Sequence, residues 1–227
     1  MTKVLFKSDA EGQMNIVQRR GGQIVVAYEE PCDEHKWKLL LMIILALSGS
    51  LRAASINSAL CRACSLLAPA GTSIVVYSGL GQLPLFNAEL ESSPPQQVLE
   101  LRRLVGAADA VLIASPEYAH GLSGPLKNAL DWLVAYEGFY GKPVAAVNTS
   151  PRAHHAYDSL IEVLRTMSAI LIESASISIP LLGNCVTVES IVAADAISAQ
   201  VKGMLEQMRA HMQGVGDARQ LFRLESP

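Results

Sequence analysis

The stretch Gly49-Ser50-Leu51-Arg52-Ala53-Ala54-Ser55-Ile56-Asn57 concentrates anion-binding groups in one short run. Gly49 lets the backbone turn sharply and approach a ligand closely. Ser50 and Ser55 offer hydroxyls, and Arg52 offers a forked cation that matches phosphate oxygens. Ser55 is a good helix N-cap, so the helix start behind it adds free N–H groups and the positive end of a dipole. Asn57 adds a donor in the first turn. Together these groups make a nest for a terminal dianionic phosphate; the plainer alternative is a polar strand-to-helix loop with a capping serine. No Gly-Lys-Ser/Thr ending makes this a P-loop, and no Gly-x-Gly-x-x-Gly makes it a dinucleotide fingerprint. No cysteine stands in the loop to act as a phosphatase nucleophile.

Two other groups of reactive side chains invite a reading. Cys61-x-x-Cys64 has the spacing of a redox pair, but it falls inside an expected helix rather than at its start, where a dipole would lower the thiol pKa. With Cys32 and Cys185 as the only other cysteines, neither a zinc site nor a disulfide framework is built, and a reducing compartment, the cytoplasm, fits. The adjacent His154 and His155 lack a third metal ligand at recognisable spacing, and neighbouring helical residues are expected to point apart.

The elements that would position these residues follow from hydrophobic pattern. From residue 39 onward, apolar runs alternate with helix-period segments, as in a parallel sheet covered on both faces. The strands are expected at Leu39 to Leu47, Ser73 to Tyr77, Ala110 to Ala114, Pro143 to Asn148 and in the Ile170 to Ile179 region. Helices are expected from Ser55 through Leu67, from Pro94-Pro95 to Gly106, over Leu122 to Val134, over Ala156 to Ser168, and as one helix from Val188 to about Met212. Strict alternation implies a three-layer doubly wound five-stranded parallel sheet, with ligands at the carboxyl ends of its strands. The chain is 50% hydrophobic and 17% charged, enough apolar material for such a core. A formal charge of -3 and a pI near 6.0 argue against nucleic acid as a partner.

Residues 1-38 read differently: polar, with Gly21-Gly22 and the run Glu29-Glu30-Pro31-Cys32-Asp33-Glu34-His35, and with one candidate strand at Ile24 to Tyr28. They are expected to form a poorly ordered N-terminal extension to a domain at 39-213, with Met42 as an alternative start and 214-227 as a frayed tail; an extra strand or a partner-binding arm is the other reading. The apolar run Leu39 to Leu47 is too short to span a bilayer and too far into the chain for a signal-peptide core, so it reads as a strand buried on both faces.

Three motifs in order, Gly49-Ser50-Leu51-Arg52-x-x-Ser55-x-Asn57, Ser115-Pro116-Glu117-Tyr118 and Leu126-Lys127-Asn128-Ala129-Leu130-Asp131-Trp132, resemble the NAD(P)H-dependent FMN reductase family, which includes quinone, azo-dye and chromate reductases. The likeness covers about residues 40 to 212. It implies a flavodoxin-like fold and tightly bound FMN, with NADPH or NADH as electron donor. It assigns the FMN phosphate to Ser50, Arg52, Ser55 and Asn57, and the flavin ring and ribityl chain to Pro116, Glu117 and Tyr118. The helix with Asn128 and Trp132 then serves packing and subunit contact, implying a homodimer or homotetramer.

Two departures from the family pattern stand out. After the fourth strand, relatives carry a glycine-rich stretch against the flavin ring; here Asn148-Thr149-Ser150-Pro151-Arg152-Ala153-His154-His155 replaces it, leaving Thr149 and Ser150 as donors. After Tyr118 comes Ala119-His120, where relatives often have Asn. The resemblance implies an enzyme passing reducing equivalents from NAD(P)H through FMN to a small oxidant such as a quinone, an azo compound or free flavin, with no obligatory catalytic side chain. His120, His154, Glu117 and Tyr118 are candidates to orient a substrate or donate a proton. A non-enzymatic electron carrier is the alternative, as is a scaffold without flavin, but the weak net charge does not favour steering a basic protein partner.

Overall fold

The structure is a computed structural model that describes residues 3–7, 14–20, 23–27, 42–152, 154–182 and 186–224, with side chains between 42 and 214. Near the start of the chain, β1 (Lys3–Lys7), β2 (Met14–Arg20) and β3 (Gln23–Ala27) form an antiparallel sheet in that order. The expected strand at Ile24 is part of β3, while Tyr28 and the charged run from Glu29 to His35 lie outside the described residues.

The second sheet holds β4 (Met42–Ser48), β5 (Thr72–Tyr77), β6 (Ala110–Ala114), β9 (Pro143–Val147) and β10 (Ile170–Leu171), all parallel, in the order β10-β9-β6-β4-β5. Counted from β4 along the chain this is 2-1-3-4-5, the flavodoxin-like order. Register runs Ile44 opposite Ile74 and Ala110, and Val111 opposite Val144. Alternating side chains feed two cores. Leu45, Leu47, Val111 and Ile113 pack with α2 (Gln96–Ala107), α3 (Gly124–Asp131) and α4 (His154–Thr166). Ile44, Ala46 and Leu112 pack with α1 (Ile56–Leu66), α5 (Val188–Ala193) and α6 (Asp195–Leu224). Leu39 to Leu41 lie outside the described residues, and the remainder of that apolar run is buried on both faces, which explains its unbroken hydrophobicity.

Four expectations need correction. The fifth strand is only Ile170–Leu171; a 3-10 turn at Glu173–Ala175 interrupts it, and pairing resumes as a single bridge between Asn148 and Ser178. The last helix is two helices, broken where Ala194 leaves helical geometry (ψ 103), and the second is assigned from Asp195 to Leu224. The third helix starts at Gly124, because residues 117 to 122 form a two-stranded hairpin, β7 (Glu117–Tyr118) and β8 (Gly121–Leu122). Its turn residues Ala119 and His120 both have positive φ (49 and 59), the conformation of a tight two-residue hairpin loop, so hydrophobic period alone could not reveal it. The fourth helix begins two residues early, putting His154 and His155 in its first turn.

Candidate functional site

The order of strands reverses between β4 and β6: from β4 the chain steps to β5 on one side, then crosses to β6 on the other. A crevice opens at the carboxyl ends of strands at such a point. Here it is a cleft of about 980 Å³, walled by the loops after β4, β6 and β9 and by residues around the start of α5.

The loop after β4 is folded by its own polar groups. Gly49 N–H donates to the Ala114 carbonyl at 2.8 Å, which joins this loop to the end of β6. Ser48 Oγ accepts from Ser50 N–H and Ser50 Oγ from Arg52 N–H, each at 3.4 Å. Ser55 caps α1, its Oγ accepting from Ser58 N–H at 3.2 Å, while Ala59 N–H bonds the Ser55 carbonyl. That leaves Ile56 and Asn57 N–H, both at the helix start, without an acceptor among the described residues. A Cβ on Gly49 would lie 2.7 Å from Ser115 Oγ and 2.9 Å from Ser123 Oγ, so the glycine is set by close approach.

All eight residues expected to hold the cofactor, Ser50, Arg52, Ser55, Asn57, Pro116, Glu117, Tyr118 and Ser150, line this cleft. Ser50, Ser55 and Asn57 are buried in its floor, whereas Arg52 and Tyr118 are exposed at its mouth. Thr149 Oγ1 donates to Asn57 Oδ1 at 3.0 Å, tying α1 to the loop after β9. Sequence reasoning missed the far wall, formed by Leu181, Leu182 and residues 186 to 189, and it missed Arg62. The signal for Arg62 was available: it follows Ser55 by seven positions, on the same helical face as Ser55 and Ala59, which also line the cleft.

The histidines stand behind Glu117, outside the cleft lining. Glu117 is bidentate. One oxygen accepts from Ala156 N–H in the first turn of α4 at 2.9 Å, and the other lies 3.3 Å from His120 Nδ1. His120 meets His155 edge-on at 4.5 Å between centroids, and His155 meets His154 at 4.1 Å. The rings of His154 and His155 therefore converge instead of pointing apart. The Ala156 N–H does most to hold the Glu117 pKa below its ordinary value; burial works against it, and the His155, His120 and His154 rings lower it further. Among the described residues no group of three or more His, Cys, Asp or Glu is placed to hold a metal ion.

Cys61 and Cys64 are buried in the face of α1 turned to the sheet. Burial pushes the Cys61 thiol up to about 12 and raises Cys64 as well, so neither presents a thiolate near neutral pH. Cys32 and Cys185 lie outside the described residues. Trp132 is fully buried, its Nε1 donating to the Pro84 carbonyl at 2.8 Å, so it anchors the loop after β5 on α3.

Residues 42–181, well over half of the chain, match the model of the NADPH-dependent FMN reductase family. The chain belongs to this family. An NAD(P)H-dependent FMN reductase of Pseudomonas aeruginosa is 39% identical over 110 residues, which are 47% of this chain and 59% of that protein. A quinone reductase of Pseudomonas putida is 38% identical over 109 residues, 46% of this chain and 58% of that protein. The chain thus spans 59% and 58% of the length of these two curated family members. Among solved structures, FerB of Paracoccus denitrificans, a flavoenzyme NAD(P)H:(acceptor) oxidoreductase, is similar with a TM-score of 0.60 and 26% identity, covering 75% of this chain and 98% of FerB. Among the described residues no helix is long and apolar enough to cross a membrane.

Proposed function

We propose that this chain is an FMN-dependent oxidoreductase that takes reducing equivalents from NADPH or NADH and delivers them to a small oxidant of the quinone class, acting in the cytoplasm. The observation that carries the reading is the cleft at the strand-order reversal, whose floor joins buried hydroxyl and amide side chains to a free helix start.

The residues fit a flavin mononucleotide. Ile56 and Asn57 N–H, lacking an acceptor among the described residues, together with Ser50, Ser55 and the exposed Arg52, suit a terminal phosphate. Pro116, Glu117, Tyr118 and Ser150 flank the place left for a ring and its ribityl chain. A bound flavin supplies the two-electron chemistry, and the protein's share is binding, orientation and exclusion of water. Thr149 fixes Asn57, Gly49 brings two loops together, and Tyr118 offers a half-exposed aromatic face at the rim. Glu117 is committed to Ala156 N–H and His120, so its part is to position the hairpin rather than to carry a proton.

The same reading carries a homodimer or homotetramer, with residues 39 to 213 as the catalytic unit. The exposed apolar residues Leu85, Phe86 and Leu90, on the loop anchored by Trp132, support the association.

The test is the visible spectrum of the purified protein before and after anaerobic addition of NADPH, followed by addition of a benzoquinone. Flavin bands that bleach and then return with the quinone are expected. A colourless protein that takes up no added FMN would falsify the reading.

A further inference from the structure

Four of the seven arginines with described side chains carry an ion pair: Arg102 to Glu91, Arg103 to Glu100, Arg165 to Glu173 and Arg209 to Glu206. The other three, Arg52, Arg62 and Arg152, have neither an ion pair nor a side-chain hydrogen bond among the described residues. All three are exposed, and all three line the same cleft. The two carboxylates on its walls do not neutralise them. Glu117 is held by Ala156 N–H and faces His120, and among the described residues neither Glu117 nor Glu189 forms an ion pair with an arginine. Guanidinium groups left without a carboxylate around a cleft suit an anionic ligand, and their planar forks match phosphate oxygens.

The three arginines occupy separate stations. Arg52 and Arg152 stand on loops built alike: in each, the arginine N–H donates to the hydroxyl of the serine two residues earlier, Ser50 or Ser150, at 3.4 Å. Those loops leave β4 and β9, which flank β6; at about 4.8 Å between neighbouring strands, they rise roughly 10 Å apart. Arg62 lies further along α1, about 9 Å beyond Ile56 at 1.5 Å per residue, and lines the cleft together with Thr187. FMN carries one phosphate, and Arg52 with the start of α1 suffices for it. Two cations remain.

We propose that Arg62 and Arg152 hold the phosphates of the nicotinamide dinucleotide donor; this rests on the flavin reading above, in which Arg52 serves the flavin phosphate. The sources of the recognised group are the pyrophosphate, common to NADH and NADPH, and the 2′-phosphate, present only in NADPH. A cation on the 2′-phosphate makes the protein prefer NADPH; cations on the pyrophosphate alone leave it indifferent.

The experiment is calorimetric titration of the flavin-loaded protein with two non-reducing probes, ADP-ribose and adenosine 2′,5′-bisphosphate, comparing wild type with Arg62→Gln and Arg152→Gln and with a salt series. Each substitution is expected to weaken at least one probe about tenfold, the loss of one charge-assisted hydrogen bond, with wild-type affinity falling as salt rises. Loss confined to the bisphosphate assigns that arginine to the 2′-phosphate, and the KM for NADPH rises in that variant while the KM for NADH holds. Loss of ADP-ribose affinity assigns it to the pyrophosphate, and both KM values rise. Unchanged affinity for both probes in both variants overturns the proposal. So does release of FMN by both variants with probe affinity intact, which would give all three arginines to the flavin. A protein that takes up no FMN, yet binds the probes through these arginines, keeps the anion subsite and removes the flavin reading.

Discussion

Gly49 sits where the phosphate loop, the loop after β6 and the start of α3 meet. The space a methyl group would need is taken by Ser115 Oγ at 2.7 Å and Ser123 Oγ at 2.9 Å, and Ser123 is fully buried with no partner for its hydroxyl among the described residues. Gly49→Ala therefore requires both hydroxyls to turn away and still presses on Ser115 Cβ at 3.2 Å. Overpacking of this kind costs about 1–3 kcal/mol, read as a lower midpoint in urea at unchanged slope, and FMN uptake should weaken with it. A variant as stable as wild type with unaltered uptake would show that the loops yield freely. The thiols on α1 have a different logic at this scale. Their two-residue spacing suggested redox chemistry, but residue type says nothing of which helix face meets the sheet. The core position of Cys61 and Cys64 removes the solvent access that such chemistry needs.

Glu117 acts between elements, since it joins the β7–β8 hairpin to the start of α4. Its pKa is depressed in the folded protein, so the unfolded chain binds the proton more readily. The contribution to stability is therefore complete above the unfolded value of about 4.3 and lost as pH falls through the lower folded value. Glu117→Gln should melt at a lower temperature than wild type near neutral pH, and the gap should close on acidification below about pH 4. A gap that stays constant down to pH 3 would show that the charge is immaterial to this link.

Much of this element-level organisation was legible in the sequence. The strands at β4, β6 and β9 were readable because each is buried enough to be almost continuously apolar, and the half-buried edge strand β5 was readable from its Ile74-Val75-Val76 run. The phosphate loop was readable because capping and anion binding demand particular residue types at fixed spacing. The hairpin was hidden because two residues with side chains, Ala119 and His120, fill turn positions that usually advertise themselves with glycine or asparagine. The break at Ala194 was hidden because alanine is the best helix former and so gives no stop signal. The far wall of the cleft could not be read either, since nothing local says which loop folds back over the site.

For the whole molecule, the proposed self-association is the open quantity. Leu85 is 84% exposed on a loop that Trp132 and Asn128 tie to α3 through the Pro84 carbonyl. Sedimentation equilibrium should give two or four times the chain mass of 24.3 kDa, and Leu85→Glu should shift the population toward the monomer. A wild-type protein sedimenting as a monomer at micromolar concentration would discard the association.

The interruption of β10 after Leu171 carries a consequence of another kind. An open sheet ends in rows of unpaired amide and carbonyl groups, which invite strands from other chains and lead to aggregation. On the β10 side, regular pairing stops after two residues, and the 3-10 turn at Glu173–Ala175 bends the backbone away before a single bridge resumes. A strand from a misfolding neighbour would find too short a template there to register against. The irregularity that defeated the simple strand assignment thus protects this margin of the sheet during synthesis and crowding.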